Sequence, residues 1–411
     1  MKIKVGVVQL RAHDRSAFVQ ACTEIEGALT RALQTGARLI VLPEGTLPAY
    51  VLGRSAFDEA EISDALERCR RLARNAGAVI VAGAARSTPA GVMNSAIVID
   101  ADGSIAGAAD KNFLWHFDRQ WFARGATIAP VQTRIGMLGA LICADGRIPT
   151  IASTLVECGA QLLVMPTAWV TSGRDPAALE NIQADLLARI RARENGVPFI
   201  AANKCGVELG CVAYCGKSQI VHADGNIAAI AAQDEPAILT AEIEIGDAPV
   251  SRELTHSEYF DAPPTPTRIA IAARAEQPQD AERVRILEAE RFVHVGSESL
   301  SDEVVLDPRG LAELRLRGTT FAVWHTQIDP QWQVTFARAR ALELRMYVAV
   351  IDSKRGRAFA ADPDGAVVCG TFGDYEIASF AFDPVRTQMT LVAPGTDVLE
   401  GLTHAAQHAA H

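Results

Sequence analysis

Gly36-Ala-Arg-Leu-Ile-Val-Leu-Pro43 and Gly159-Ala-Gln-Leu-Leu-Val-Met-Pro166 carry one pattern twice, 123 positions apart. Each is an apolar run too continuous for a strand with one solvated face, closed by a proline that ends the ladder. Asn75 and the run through Ala82 return as Asn195 through Ala202, displaced by 120. The stretch around Ala101-Asp102-Gly103 returns as Ala223-Asp224-Gly225, displaced by 122. Three near-equal offsets in one order mean that residues 1–250 hold two copies of a single unit, 1–125 and 130–250.

Both copies read alike. An amphipathic helix comes first, over Arg15–Thr35 in one and Thr150–Cys158 in the other, and leads into the strand that ends at the proline. A second helix follows, over Ser63–Asn75 and Leu179–Asn195, then another apolar strand and a hairpin marked by Asp-Gly. Helices alternating with buried strands predict an α/β fold. Two such units facing each other through bare sheet faces give a four-layer α-β-β-α sandwich.

Beyond residue 250 the pattern changes. Residues 251–287 contain Ala262-Pro-Pro-Thr-Pro-Thr267 and read as a linker or crossover. Residues 288–400 then read as a third, shorter copy, a smaller C-terminal α/β domain resembling half of the same fold. Gly318 stands opposite Gly159, Glu343 opposite Glu194 and Asp364-Gly365 opposite Asp224-Gly225, at offsets of 159, 149 and 140. The first offset sets Asp302 opposite Cys143, with nothing beside it to complete a catalytic set. A half-unit exposes an apolar sheet face, which the outside of the first sandwich or a second chain is expected to cover. Residues 401–411, with His404, His408 and His411, read as a flexible tail.

Composition excludes several classes. Of 411 residues, 49% are hydrophobic and 21% charged, so the chain is no disordered polymer. A net charge of −10 speaks against a nucleic-acid partner. No apolar run reaches the roughly 18 residues of a membrane span, and the start, MKIKVGVVQLRAHDRS, lacks the apolar core of a signal peptide. Eight cysteines are too sparse for a disulfide scaffold. The expectation is a cytoplasmic protein.

Three residues stand just beyond strand ends, where an α/β sheet presents its working side chains. Glu44 follows Leu39-Ile-Val-Leu-Pro43, Lys111 follows the hairpin of Asp102-Gly103, and Cys143 ends Met137-Leu-Gly-Ala-Leu-Ile142. A neutral-pH thiol needs a base or a positive field to become a nucleophile. Glu44 can take the proton. Lys111, with the backbone N–H groups after Cys143, can hold the thiolate and later an oxyanion.

In order and surroundings these residues resemble the nitrilase, or carbon–nitrogen hydrolase, superfamily, in its amidase-like branch. The resemblance covers residues 3 to about 250 and rests on Leu42-Pro43-Glu44, Lys111-x-x-Leu114 leading to Phe122-x-x-Gly125, and Cys143-Ala-Asp145-Gly-Arg147-Ile-Pro149. Pro166-Thr-Ala-Trp169, Arg193-Glu194-Asn195 and Ala202-Asn203-Lys-x-Gly206 support it. It implies the sandwich fold, a Glu44–Lys111–Cys143 triad that needs no cofactor or metal, and a homodimer or higher homo-oligomer.

Two departures from the family pattern stand out. Asp118 occupies the place where family members carry a second glutamate beside the lysine, and Thr150 replaces a glutamate after the proline, where it is expected to cap the helix. Ala144-Asp145, where nitrilases typically have Trp-Glu, favours a small amide or N-carbamoyl substrate over a nitrile. Tyr50, Trp115, His116, Ala144 and Trp169 neighbour the three positions in sequence and are the candidate substrate-binding residues. Arg147 either binds a substrate carboxylate or pairs with Asp145, the preferred reading. A catalytically weak binding or regulatory protein on this scaffold is the alternative from another class; a rapidly alkylated Cys143 would speak for the enzyme. Cys205, Cys211, Cys215 and His222 do not have a familiar zinc-ligand spacing, so no metal is expected.

Overall fold

Residues 1–250 fold as two β-sheets laid face to face and covered outside by helices, with three strands of the second copy added to the sheet of the first. The computed structural model describes residues 1–53, 58–171, 181–247, 249, 262–273, 290–293, 299–371 and 377–408. The chain divides into two compact units, Met1–Ser251 with His404–His411, and Arg252–Thr403.

In the first unit the chain runs β1 (Lys2–Arg11), α1 (Phe18–Gln34), β2 (Leu39–Val41), α2 (Glu59–Ala76), β3 (Val79–Thr88), β4 (Gly91–Ile99) and β5 (Ile105–Asp110). The second copy continues with β6 (Val131–Thr133), β7 (Gly136–Ala140), α3 (Pro149–Glu157), β8 (Leu162–Pro166), α4 (Ala188–Asn195) and β9 (Phe199–Ala202). It closes with β10 (Lys204–Glu208), β11 (Val212–Cys215), β12 (Gln219–Val221), β13 (Ile227–Ile230) and β14 (Ala237–Glu244). One sheet has the order β11-β10-β1-β2-β3-β4-β5, with β14 also on β1; the other is β13-β12-β9-β8-β7-β6.

The local reasons are those of the sequence. In α1, Phe18, Ala21, Ile25, Ala28, Leu29 and Ala32 are buried, an apolar stripe at helical spacing. Helix α2 starts where the Asp58 carboxylate accepts from Ala60 N at 2.8 Å and stops at Gly77 in the left-handed region. Every residue of β2 and β8 is buried, as covered parallel strands require. Helix α3 begins with Pro149 at its first turn, and the Thr150 hydroxyl is buried without a partner, so it caps nothing.

The second unit repeats the second copy almost pair for pair. Its strands are β15 (Thr267–Ala272), β16 (Glu290–Val293), β17 (Phe321–His325), β18 (Tyr347–Asp352), β19 (Arg357–Ala361), β20 (Val367–Gly370) and β21 (Ile377–Phe382), followed by the short pair β22 (Leu391–Ala393) and β23 (Thr396–Asp397). The main sheet, β17-β18-β19-β20, has the topology of β8-β9-β12-β13. Val164 pairs with Ile200, and Val323 with Ala349; Gln219 pairs with Ile230, and Phe359 with Gly370. Both hairpins carry an irregularity at the same place, between Ile220 and Val221 and between Ala360 and Ala361. A buried ion pair recurs as well. Arg191 binds Glu194 and donates to Gly146 O, while Arg340 binds Glu343 and donates to Val305 O.

Three expectations are corrected here. Residues 251–287 are not simply a linker, because Thr267–Ala272 is the central strand of a three-stranded sheet, β16-β15-β21; residues 251–261 and 274–287 lie outside the described residues. The apolar face of the half-unit is covered from within its own unit. Ile269, Ile271, Phe380 and Phe382 pack on Phe321, Val323, Tyr347, Ala349 and Ile351. Strand β15 pairs in parallel with β16 and antiparallel with β21, as β1 does with β2 and β14, so this unit keeps a remnant of the opposite sheet. The end of the chain is a helix over Val398–Gln407 rather than a tail, with Val398, Leu402 and Ala405 buried along one stripe. His411 lies outside the described residues.

Arg340 is wholly buried and also reaches Leu306 O, so removing it breaks a buried ion pair from one side. Arg340→Ala should lower the stability of the second unit by about 3–5 kcal/mol, the usual cost of breaking a buried pair from one side. Urea denaturation followed by tryptophan fluorescence reads this through Trp324 and Trp332; an unchanged transition would show that the pair carries no weight.

Candidate active site

Glu44 lies where the chain leaves β2. Its backbone presses onto β3 at Gly83, where a Cβ would meet Pro43 O at 2.3 Å and Glu44 Cα at 2.6 Å. Only glycine permits that approach. Beyond it, Thr46 N and Leu47 N both donate to Gly83 O, and Lys204 Nζ donates to Gly45 O at 2.9 Å. Glu208 receives Val51 N at 2.7 Å and the Tyr214 hydroxyl at 2.6 Å. The loop of Glu44 is thus pinned on two sides.

Lys111 follows β5, its N–H bonded to Asn94 O and its carbonyl to Gly125 N. The side chain has no exposed surface. Its Nζ lies 2.8 Å from Glu44 Oε1 and 2.5 Å from Asp118 Oδ2, and both carboxylates are as buried as the ammonium. Asn94 Nδ2 donates to the same Glu44 Oε1 at 2.7 Å, whereas Oε2 has no partner. Asp118 Oδ2 also accepts from Trp115 N at 2.8 Å, and its Oδ1 from the Tyr50 hydroxyl at 2.9 Å. One methylene shorter than the expected glutamate, Asp118 still reaches the lysine, because the turn at 116–120 carries it inward.

Cys143 sits at a sharp corner. Ile142 is extended, Cys143 has φ +46°, and a short 3₁₀ turn follows over Cys143–Arg147. A non-glycine residue in the left-handed region is strained, and such strain clusters at working sites. Asp145 holds the corner by accepting from Asn112 N at 3.0 Å, Phe113 N at 2.6 Å and Ile142 N at 2.9 Å. It therefore ties the turn of Cys143 to the loop of Lys111. That overturns the Asp145–Arg147 pairing, since backbone donors already occupy Asp145. Arg147 instead lies over the Trp115 ring, 4.4 Å from its centroid, with Nε buried and unpartnered.

Electrostatics follow from burial and an excess of carboxylate. Burial opposes the charge on Lys111, but Asp118 and Glu44 outweigh it and hold its pKa well above the ordinary value. Burial pushes the Cys143 thiol up to about 12, and Glu44 adds to this; Lys111, the Thr167 side chain and the Ala168 backbone act the other way. Burial also raises the Asp145 carboxyl to about 7 against its backbone donors.

Glu44, Lys111, Asp118 and Tyr50 are joined by direct hydrogen bonds, and Cys143 lies within range of the Glu44 and Lys111 charges. Ala144 and Trp169 are buried in the segments flanking this cluster, and Trp169 N is held by Asn203 Oδ1 at 2.8 Å. His116 is exposed and packs edge-on against Phe117, 5.0 Å between centroids, so it is not drawn into the cluster. Asn94 and Thr167 were not singled out from the sequence. The polar Asn94-Ser95 pair inside the apolar run Val92–Ile99 was the available signal for the first.

The carbon–nitrogen hydrolase family model matches residues 4–251, and the chain belongs to that family. A hydrolase from the pqqF 5′ region of Pseudomonas protegens is 34% identical over 227 residues, 53% of this chain and 77% of that protein. The citrullinase of Francisella tularensis is 28% identical over 264 residues, 60% of this chain and 90% of its own. Among solved structures, a carbon–nitrogen hydrolase from Helicobacter pylori superposes with a TM-score of 0.53 at 27% identity, covering 59% of this chain and 89% of that one. Among the described residues no helix is long and apolar enough to cross a membrane.

With its pKa near 12, the thiol of the free protein is protonated at neutral pH, so slow alkylation would not speak against an enzyme. Iodoacetamide labelling of Cys143, read by peptide mass spectrometry, should accelerate roughly tenfold per pH unit between 7 and 10 as the thiolate fraction grows. A plateau already at pH 7 would mean a preformed thiolate.

Proposed function

We propose that this carbon–nitrogen hydrolase cleaves the non-peptide C–N bond of a small amide or N-carbamoyl compound through a thioester on Cys143. The observation that carries the reading is the division of labour on Glu44. Oε1 is held by Lys111 and Asn94, and Oε2 is left without a partner in a buried cluster close to Cys143. A carboxylate fixed by one oxygen and free at the other suits proton transfer.

In this scheme Glu44 takes the thiol proton as the sulfur attacks the carbonyl carbon, so no free thiolate need accumulate. The tetrahedral oxyanion is held by Lys111 and by backbone N–H groups after Cys143. Collapse breaks the C–N bond, and ammonia or an amine leaves with the proton held by Glu44. A water molecule, deprotonated by Glu44, then attacks the thioester. The acid or carbamate is released, and the proton on Glu44 returns to the sulfur. The same triad could act on nitriles, but Ala144 after the nucleophile favours amides.

Arg147 sharpens the substrate class. Its Nε is buried beside the Trp115 ring without a hydrogen-bond partner, and among the described residues no carboxylate pairs with this guanidinium, an arrangement that is costly for a cation taken out of water. A substrate carrying a carboxylate would supply the missing counter-ion. The name of the F. tularensis relative, citrullinase, points to a carbamoyl compound of that kind.

Ammonia release should be followed from propionamide, N-carbamoyl-β-alanine and propionitrile. Cys143→Ala should abolish turnover without unfolding the chain, and Cys143→Ser should retain less than about a hundredth of the rate. Arg147→Met should raise KM for N-carbamoyl-β-alanine at least tenfold while leaving propionamide unchanged. Turnover by Cys143→Ala would sink covalent thiol catalysis, and equal effects on both substrates would sink the carboxylate assignment.

A further inference from the structure

The donors of Lys111 can be counted. An ammonium has three N–H bonds. One goes to Glu44 Oε1 and one to Asp118 Oδ2, so a single donor remains for anything that enters the pocket. A carboxylate beside an ammonium gains by turning both oxygens toward it, which here would take up the last donor. Asp118 does not do so, because its Oδ1 already accepts from the Tyr50 hydroxyl at 2.9 Å, while Trp115 N shares Oδ2.

We infer that Tyr50 is a positioning residue: its hydroxyl confines Asp118 to a single oxygen on Lys111 and so keeps the third N–H of Lys111 for the substrate oxyanion. The inference rests on the proposed role of Lys111 and assigns Tyr50 to the charge network rather than to the substrate.

The surroundings of Tyr50 are built for a fixed hydroxyl. The ring is 1% exposed and lies between Phe117, 5.6 Å between centroids, and Tyr214, 6.3 Å away. The backbone of Tyr50 fills the space where a Cβ on Gly45 would stand, 2.4 Å from Tyr50 Cα, so loop and ring are located together. Lys111 Nζ is 5.8 Å from the ring centroid, so the aromatic face also favours the cation where it is. Burial, then the Asp118 and Glu44 charges, raise the phenol well above its ordinary pKa, so it stays a donor across the working pH range. Asp118 meets the lysine from the turn at 116–120, which leaves its Oδ1 toward Tyr50.

Tyr50→Phe tests this, because the ring packing survives and only the hydroxyl goes. In the full-length protein kcat for the amide turned over best should fall about 10- to 100-fold, less than the loss of a direct oxyanion donor, with KM within about twofold. In an Asp118→Asn background the same substitution should add no further loss. A crystal structure of Tyr50→Phe should show Asp118 turned so that both oxygens meet Lys111 Nζ. An unchanged kcat, an effect confined to KM, additivity with Asp118→Asn, or an Asp118 still bound through one oxygen would each overturn the inference. Failure of the catalytic reading is separate: it would appear as ammonia release by Cys143→Ala, and the crystal structure still decides the Tyr50 geometry in that case.

Discussion

An ammonium with no exposed surface, clasped by two equally buried carboxylates, governs this structure. Moving such groups out of water costs several kcal/mol each, and only close geometry with every remaining lone pair and proton engaged offsets that cost. The surroundings meet most of the demand. Gly83 lets the Glu44 backbone lie directly on β3, Lys204 and Glu208 pin the far side of the same loop, and Asn94 shares the oxygen that Lys111 uses. One carboxylate oxygen, Glu44 Oε2, stays outside this scheme, and it is the one the proposed reaction uses.

Two carboxylates against one ammonium leave the pocket with an excess of negative charge, and burial adds to its effect on the thiol. This environment disfavours a resting thiolate, which is why the proposed reaction transfers the proton during attack rather than before it. The strained corner at Cys143 and the three backbone donors on Asp145 keep the sulfur in place without lowering its pKa. Arg147 is another group left without a full set of partners. It is stacked on Trp115 with a buried nitrogen unanswered, and so directs attention to the substrate's own charge.

The second unit shows which interactions belong to the fold and which to the site. It retains the strand register, the hairpin irregularity and the buried Arg–Glu pair, all of which serve stability. At the position of Cys143 stands Asp302, which accepts from Trp324 Nε1 at 2.9 Å and so joins the packing of the sheet. Among the described residues there is no counterpart of β3, β4 and β5, the strands that deliver Lys111. Fold-bearing pairs outlast chemistry here because losing one half of a buried ion pair is costly even when no reaction depends on it.

Repeats of short apolar runs were legible in the sequence because covered strands and helices leave periodic signatures, and these gave the sandwich, the internal copies and the positions just beyond strand ends where Glu44, Lys111 and Cys143 stand. Asp118 was legible as a departure from a motif, but its adequacy was not, since whether a shorter side chain reaches depends on how far a turn carries it inward. The cover over the second unit's sheet escaped because Thr267–Ala272 follows a proline-rich stretch and pairs with residues more than a hundred positions away. Arg147 and Asp145 are two positions apart, which invited a pairing; only the folded chain brings Asn112, Phe113 and Ile142 N–H groups to Asp145 first. The link from Tyr50 to Asp118 likewise spans 68 positions. Local pattern records which face of an element is buried. Which polar groups share a buried oxygen is decided by loops meeting in space, and tertiary structure alone sets that.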